Sequence, residues 1–237
     1  MLTPHRLDDT EIPETIKKVI SGEIWALGNR LLLERTAIGI CGSRDASPSA
    51  LEWAYKFGSE AARCGIVVVS GYARGVDRQA HKGALDAGGS TIAVLPDGIN
   101  HFRLAKELRG SADLGANLLA LSMFKPDDSW QTWRAMERNS LIVGLSVGLF
   151  VIEARERGGT IHAAHECVRQ RKRLWAIAYS KDLPGREGNR KLIAGSAVPL
   201  QTFADLGRAL RESMARPPAA VKQLVLNLVG EEATVAP

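Results

Sequence analysis

Ile66-Val67-Val68-Val69-Ser70-Gly71-Tyr72-Ala73-Arg74-Gly75-Val76-Asp77 is the stretch whose reading decides the fold. Four branched apolar residues in a row predict a strand covered on both faces, as in a parallel sheet. Gly71 and Gly75 predict a tight bend behind it, because glycine adopts backbone angles that side chains forbid. Val76-Asp77 then predicts a helix start. A strand, a glycine bend and a helix N-terminus leave backbone N–H groups pointing outward, and Arg74 adds a cation. That combination predicts a pocket for phosphate.

Working outward, the same device occurs upstream. Ala37-Ile38-Gly39-Ile40-Cys41 reads as a strand and Gly42-Ser43-Arg44 as its bend. Two such bends on neighbouring parallel strands open on one sheet edge. Ligands of open α/β sheets bind outside the carboxyl ends of strands. Arg44 and Arg74 are therefore expected at the centre of the site, since a guanidinium grips a phosphate with two parallel N–H bonds. The competing expectation is a salt bridge from either arginine to Asp77 or Glu153 that fixes the loops. Asp77 itself is expected to hold Arg74 or to cap its helix.

The remaining chain alternates strands with helices. Ser47 predicts an N-cap and Pro48 a first helical position, with Gly65 ending that helix. A second helix is predicted from about Val76 to Ala87. Further strands are predicted at Thr91–Leu95, Asn117–Ser122, Val147–Ile152 and Leu174–Ala178. Between them lie a short helix over Phe102–Leu108 and a helix capped by Ser129. Gly158-Gly159-Thr160 opens another helix to about Gln170, and Asn189 to Ala194 reads as helical. The pattern predicts an α/β fold, a mostly parallel sheet with helices on both faces.

Residues 1–35 read as an N-terminal extension packing on the core. Pro13 stands in the first turn of a short helix there, and Trp25–Asn29 is either a strand or a turn beside the main sheet. Residues 36–216 form the main domain. Residues 217–237 are a tail in which Val221, Leu224, Val225, Leu228 and Val229 predict an amphipathic helix. That helix either docks on its own domain or makes a dimer contact.

The 237 residues are 45% hydrophobic and 24% charged, as expected of an ordinary globular domain. No apolar run reaches the roughly 20 residues of a membrane helix, and the N-terminus has no signal-peptide pattern. Cys41, Cys64 and Cys167 are widely spaced, without ligand spacing. They are expected to be reduced thiols, in a cytoplasmic protein without a zinc site. A net charge of +5 favours a polyanionic partner. An aromatic content of 5% is low for a protein that relies on base stacking.

Other candidates have two readings each. Asn139, on a predicted helix beside Arg138, hydrogen-bonds either a base edge or a loop carbonyl. Gly158-Gly159-Thr160 either offers N–H groups to phosphate or forms a structural turn. His81 is expected to be packed. His162 and His165 lie three apart on a helix but lack a third ligand, so no metal is expected.

Several of these segments, in this order, resemble the DNA-processing protein A (DprA, or Smf) family. They are Gly42-Ser43-Arg44, Ser70 to His81 and Gly88 to Leu95, followed by Arg138-Asn139-Ser140-Leu141-Ile142. Val151-Ile152-Glu153-Ala154 with Gly158 to Ala163, and Gly188 to Ala197, complete the set. The resemblance covers about residues 12–200. It implies an extended Rossmann-like fold, binding of single-stranded DNA, self-association as a homodimer, and delivery of the strand to a RecA-type recombinase in transformation or recombination. It implies no covalent chemistry and no cofactor. By motif position, Gly42, Ser43, Arg44, Gly71, Arg74, Arg138 and Asn139 would line the DNA pocket, with Gly158, Gly159 and Thr160 beside them and Asp77, Glu153 and Asn189 in support.

The sequence also departs from the family pattern. Ser140 stands where Arg or Lys is usual, Arg157 to His162 replaces a Ser-Gly-Ser-Leu-Ile-Thr segment, and Ala178-Tyr179-Ser180 replaces a Val-Pro-Gly turn. The resemblance leads us to expect the family's core alone, without an N-terminal helical domain or a C-terminal winged helix. The alternative is a nucleotide sensor, or an enzyme similar to the LOG family that cleaves the base from nucleoside monophosphates. In that reading Gly158-Gly159-Thr160 would be its glycine motif, lacking a proline and a third glycine, with Glu166 late. A structural adaptor of a defence or mobile-element system is the third reading.

Overall fold

The computed structural model describes residues 3–181, 183–195 and 197–215. The tail helix predicted beyond residue 216 lies outside the described residues. Among these, the strands are β1 (His5–Arg6), β2 (Trp25–Gly28), β3 (Ala37–Cys41), β4 (Val67–Ser70), β5 (Thr91–Val94), β6 (Leu118–Ser122), β7 (Gly148–Val151), β8 (Arg173–Ile177) and β9 (Val198–Leu200). The helices are α1 (Glu14–Lys17), α2 (Pro48–Arg63), α3 (Val76–Asp86), α4 (Thr132–Glu137), α5 (Asn139–Leu145), α6 (Gly159–Arg169), α7 (Glu187–Gly195) and α8 (Phe203–Ala215).

All strands join one sheet in the order β1-β2-β6-β5-β4-β3-β7-β8-β9. From β6 to β9 every pairing is parallel, while β1 and β2 run antiparallel at one edge. The fold is therefore α/β and Rossmann-like, with a mostly parallel sheet. Trp25–Gly28 resolves as a strand between β1 and β6, paired with β6 from Trp25↔Ser122 to Gly28↔Leu119.

The period of two along each strand sorts side chains to two cores. Val67 and Val69 face a cluster covered by α1, α5 and α6. Val68 faces the opposite cluster, covered by α2, α3 and α8. Ile38 and Ile40 join the second cluster while Ala37 and Cys41 join the first. This two-sided burial is why β3 and β4 read as continuous apolar runs. Ser47 caps α2 through its hydroxyl, which accepts from the Ala50 N–H at 3.3 Å, and Pro48 opens the helix.

Three predicted helices differ in detail. Phe102–Leu108 is not a helix; short 3-10 turns occupy Ile99–His101 and Lys106–Leu108 instead. The Arg103 guanidinium takes the nearby Asn100 and Phe102 carbonyls, and the Tyr72 hydroxyl accepts from the Ala105 N–H, which ties the segment to the bend after β4. Ser129 caps nothing: its carbonyl accepts from Arg134, the chain stays extended to Gln131, and the helix divides into α4 and α5 at Arg138. The third helix, α7, starts earlier than Asn189, at Glu187.

Among the strands and α-helices, β1, β9 and α8 carried no expectation. Helix α8 has a legible start, since Thr202 and Asp205 form a reciprocal capping pair, Asp205 N–H to Thr202 Oγ1 at 3.2 Å and Thr202 N–H to Asp205 Oδ2 at 2.9 Å.

The topology positions the site. The chain runs outward through β3, β4, β5 and β6, then returns to lay β7 on the other side of β3. Loops after β3 and β7 therefore diverge from one another at their carboxyl ends. That crevice is where sheets of this type bind ligands.

Candidate nucleic-acid interface

The bends after β3 and β4 share one rim. The Val76 N–H donates to the Ser43 carbonyl at 3.2 Å. Gly75 makes this contact possible: its φ is +84°, and a Cβ there would lie 2.4 Å from the Ser43 oxygen. Gly42 lies against the Val76 side chain in the same junction.

Arg44 and Arg74 are both exposed on this rim. The side chain of Arg74 is 75% accessible and pairs with Asp45 at 2.6 Å, not with Asp77 or Glu153. Asp45 also lies 3.8 Å from Arg155, which sequence reasoning passed over. The Arg155-Glu156-Arg157 run directly after the end of β7 was the available signal. Arg44 stands with its guanidinium carbon 5.9 Å from the ring centre of Trp130. Ion pairs this exposed contribute little to stability.

Arg138 and Asn139, expected to line the pocket, lie beneath it. Both are buried, at 6% and 4% exposure. The Arg138 guanidinium donates to the Gly71 carbonyl at 3.2 Å and to Asn139 Oδ1 at 2.8 Å. Asn139 in turn donates to the Gly159 carbonyl at the start of α6, at 3.1 Å. The pair thus ties the β4 bend to the start of α6. Gly71 permits this: a Cβ there would come within 1.8 Å of Arg138 Nη2.

Asp77 faces Arg138 at 3.8 Å rather than holding Arg74. Burial pushes its carboxyl above the ordinary aspartate value, with Arg138 pulling against that shift. Desolvation likewise lowers the Arg138 guanidinium, again opposed by its partner. The neighbouring Cys41 thiol is pushed well up by burial. This is a dry layer under the rim.

Glu153 is a structural strut. It accepts from the Ser47 N–H at 2.9 Å and faces buried Arg186 at 3.4 Å. Arg186 also donates to Ser47 and Ser49 and lies 3.7 Å over the Tyr179 ring. Arg186 was not singled out from the sequence, because one arginine in a polar loop gives no pattern. Asn189 closes the ends of β7 and β8: its amide donates to the Ile152 and Ile177 carbonyls and its oxygen accepts from Ala154 N–H.

Gly158 and Gly159 are exposed at the start of α6, with no atom within 4 Å of where a Cβ would lie, and Thr160 is half-buried. The Ser140 hydroxyl donates to the Glu137 carbonyl at 2.6 Å and presents no cation. His81 is wholly buried and meets Thr91 Oγ1 at 2.6 Å; burial drops its pKa to about 3. His162 and His165 are exposed on α6. Among the described residues no group of three potential metal ligands converges.

What the arrangement can do chemically is bind anions along a guanidinium-studded rim. Comparisons with known proteins bear on whose rim it is. A profile of the DNA recombination-mediator protein A family matches residues 5–211. DNA processing protein DprA of Bacillus subtilis (strain 168) is 30% identical over 190 residues, covering 80% of this chain and 64% of that protein. Protein Smf of Escherichia coli (strain K12) is 33% identical over 196 residues, covering 82% of this chain and 50% of that protein. The chain thus spans about half to two thirds of the length of these relatives. In structure, DNA processing protein A from Helicobacter pylori, described for its single-stranded DNA binding mode, superposes with a TM-score of 0.76 at 23% identity, covering 88% of this chain and 96% of that one. This chain belongs to the DNA recombination-mediator protein A family.

Proposed function

We propose that this protein binds single-stranded DNA without chemical change, holds and protects the strand, and passes it to a RecA-type recombinase. The observation that carries the reading is the pair of exposed arginines, Arg44 and Arg74, on adjoining bends at the carboxyl edge of a parallel sheet. Support comes from the family's description as recombination mediators and from the DNA-binding mode described for the Helicobacter pylori relative.

The phosphate-contacting set in this reading is Gly42, Ser43, Arg44, Gly71 and Arg74, with the α6 start at Gly158, Gly159 and Thr160 beside it. Arg138, Asn139, Asp77, Glu153 and Asn189 hold that set in place from below. Action as a homodimer in the cytoplasm belongs to the same reading; exposed Val198 on edge strand β9 and Met214 on α8 support the first, and three unpaired cysteines the second.

The alternative enzyme, cleaving nucleoside monophosphates, needs a carboxylate near Gly158–Thr160. The nearest along the helix, Glu166, is taken up by Arg169 at 2.7 Å and by Gln170. The test is a gel-shift comparison of single-stranded and duplex DNA over a salt series, with nucleoside monophosphates assayed in parallel for released base. Preference for the single strand, with no base released, is expected. Base release, or equal binding of duplex, would overturn the reading.

A further inference from the structure

We propose that Trp130 and Trp133 form a stacking platform for the bases of the strand whose phosphates sit on Arg44. The proposal deepens the single-stranded DNA reading above and depends on it. Trp130 and Trp133 are 46% and 55% exposed, unusual for the largest apolar side chain. Trp130 stands beside Arg44, one of the two rim arginines, with the guanidinium carbon 5.9 Å from its ring centre. A base laid on the indole would place its own phosphate within reach of the same guanidinium.

The platform is built rather than loose. Trp133 is held edge-on by Phe124, with ring centres 5.9 Å apart and planes at 86°. The Arg134 guanidinium lies 5.2 Å from the Phe124 ring centre and 5.1 Å from that of Trp133. Asp128 fixes this guanidinium at 2.9 Å, and the Ser129 carbonyl accepts from it. The preceding loop is pinned to the β5 end by Gly98 N–H to the Asp128 carbonyl at 2.7 Å and Asn100 N–H to the Pro126 carbonyl at 3.0 Å. Asp128 is paired with the Arg134 guanidinium, and Asp127 accepts from the Asn100 amide, so both carboxylates are held in place.

The occupant is a nucleobase of a single strand, because only unpaired bases offer both faces to an aromatic ring. Overall aromatic content is low, yet one exposed tryptophan, Trp130, stands beside the rim cation and a second, Trp133, follows three residues on.

The experiment measures anisotropy of labelled oligothymidylate and of an abasic strand with the same number of phosphates. Wild type, Trp130→Ala, Trp130→Phe, Trp133→Ala and Arg44→Glu are compared, each checked by circular dichroism and melting. Wild type is expected to prefer the thymidylate strand. Trp130→Ala is expected to lose about fivefold to a hundredfold in affinity for it, with binding of the abasic strand unchanged. Trp130→Phe should retain most of the affinity, and Arg44→Glu should lose both strands. If wild type binds both strands equally and Arg44→Glu loses both, the phosphate site stands and the platform is refuted. If Trp130→Ala binds thymidylate as wild type does, the platform is refuted irrespective of how Trp133→Ala folds. If wild type binds neither strand, the single-stranded DNA reading falls and the platform with it.

Discussion

The Arg138 guanidinium lies 3.8 Å from the Asp77 carboxylate, and both are buried under the bends that carry Arg44 and Arg74. The motif arginine thus lies in the layer beneath the rim and not on its surface. A buried pair of this kind is costly to break from one side, since the remaining charge has no solvent to turn to. Replacing Arg138 with Met is expected to destabilise the protein by about 3–5 kcal/mol. The double variant Arg138→Met/Asp77→Asn should recover a large part of that loss. Urea midpoints of the two variants check this; equal loss in both would mean that the pairing itself contributes nothing.

Gly71 gives a second handle on the same layer. Alanine there would push a methyl into the Arg138 guanidinium, which the Gly71 and Asn139 oxygens hold in place. Gly71→Ala is expected to cost about 1–3 kcal/mol. The cost should shrink when Arg138 is already Met, because the colliding atoms are gone. A double-mutant cycle by thermal or urea unfolding measures that coupling, and strict additivity would contradict it.

The buried His81 supplies a pH dependence with a definite sign. Its pKa in the fold is about 3, against 6.5 for a free histidine, because burial penalises the charged ring. Between those values the unfolded chain binds a proton that the folded chain refuses. Stability from this group is thus present above pH 6.5 and is lost as pH falls toward 3, by at most about 1.4 kcal/mol per pH unit. His81→Asn should show a shallower fall in stability below pH 6.5, by up to one proton. Unfolding midpoints at several pH values decide it; identical slopes would place the acid sensitivity elsewhere.

Much of the fold is legible in local pattern. Ile38, Ile40 and Val67–Val69 read as strands because two-sided burial leaves no polar position to interrupt the run. Ser47-Pro48 and Gly65 mark helix ends by chemistry that acts within a few residues. The rim at Arg44 and Arg74 is legible for the same reason, since each bend follows directly on its strand.

What the sequence does not show is which cation faces outward. Arg138 and Arg44 are alike as letters; only the layering of α5 beneath the β4 bend buries one and exposes the other. Arg186 and Glu153 are 33 residues apart and meet through tertiary packing alone. Trp130 read as one apolar residue of a helix because Ser129 looked like a cap. In the structure Arg134 takes the Ser129 carbonyl, the chain stays extended to Gln131, and Trp130 lies outside α4.

The most direct measurement is the salt dependence of single-stranded DNA affinity in wild type and in Arg44→Glu, taken by anisotropy. Each phosphate neutralised releases counterions, so log affinity should fall linearly with log salt, at about 0.7 per contact on a single strand. Wild type is expected to show a steep slope, and Arg44→Glu a lost or far weaker affinity with a shallower slope and unchanged folding. A charge-reversed protein that binds with wild-type affinity and slope would contradict the guanidinium rim as the seat of DNA binding.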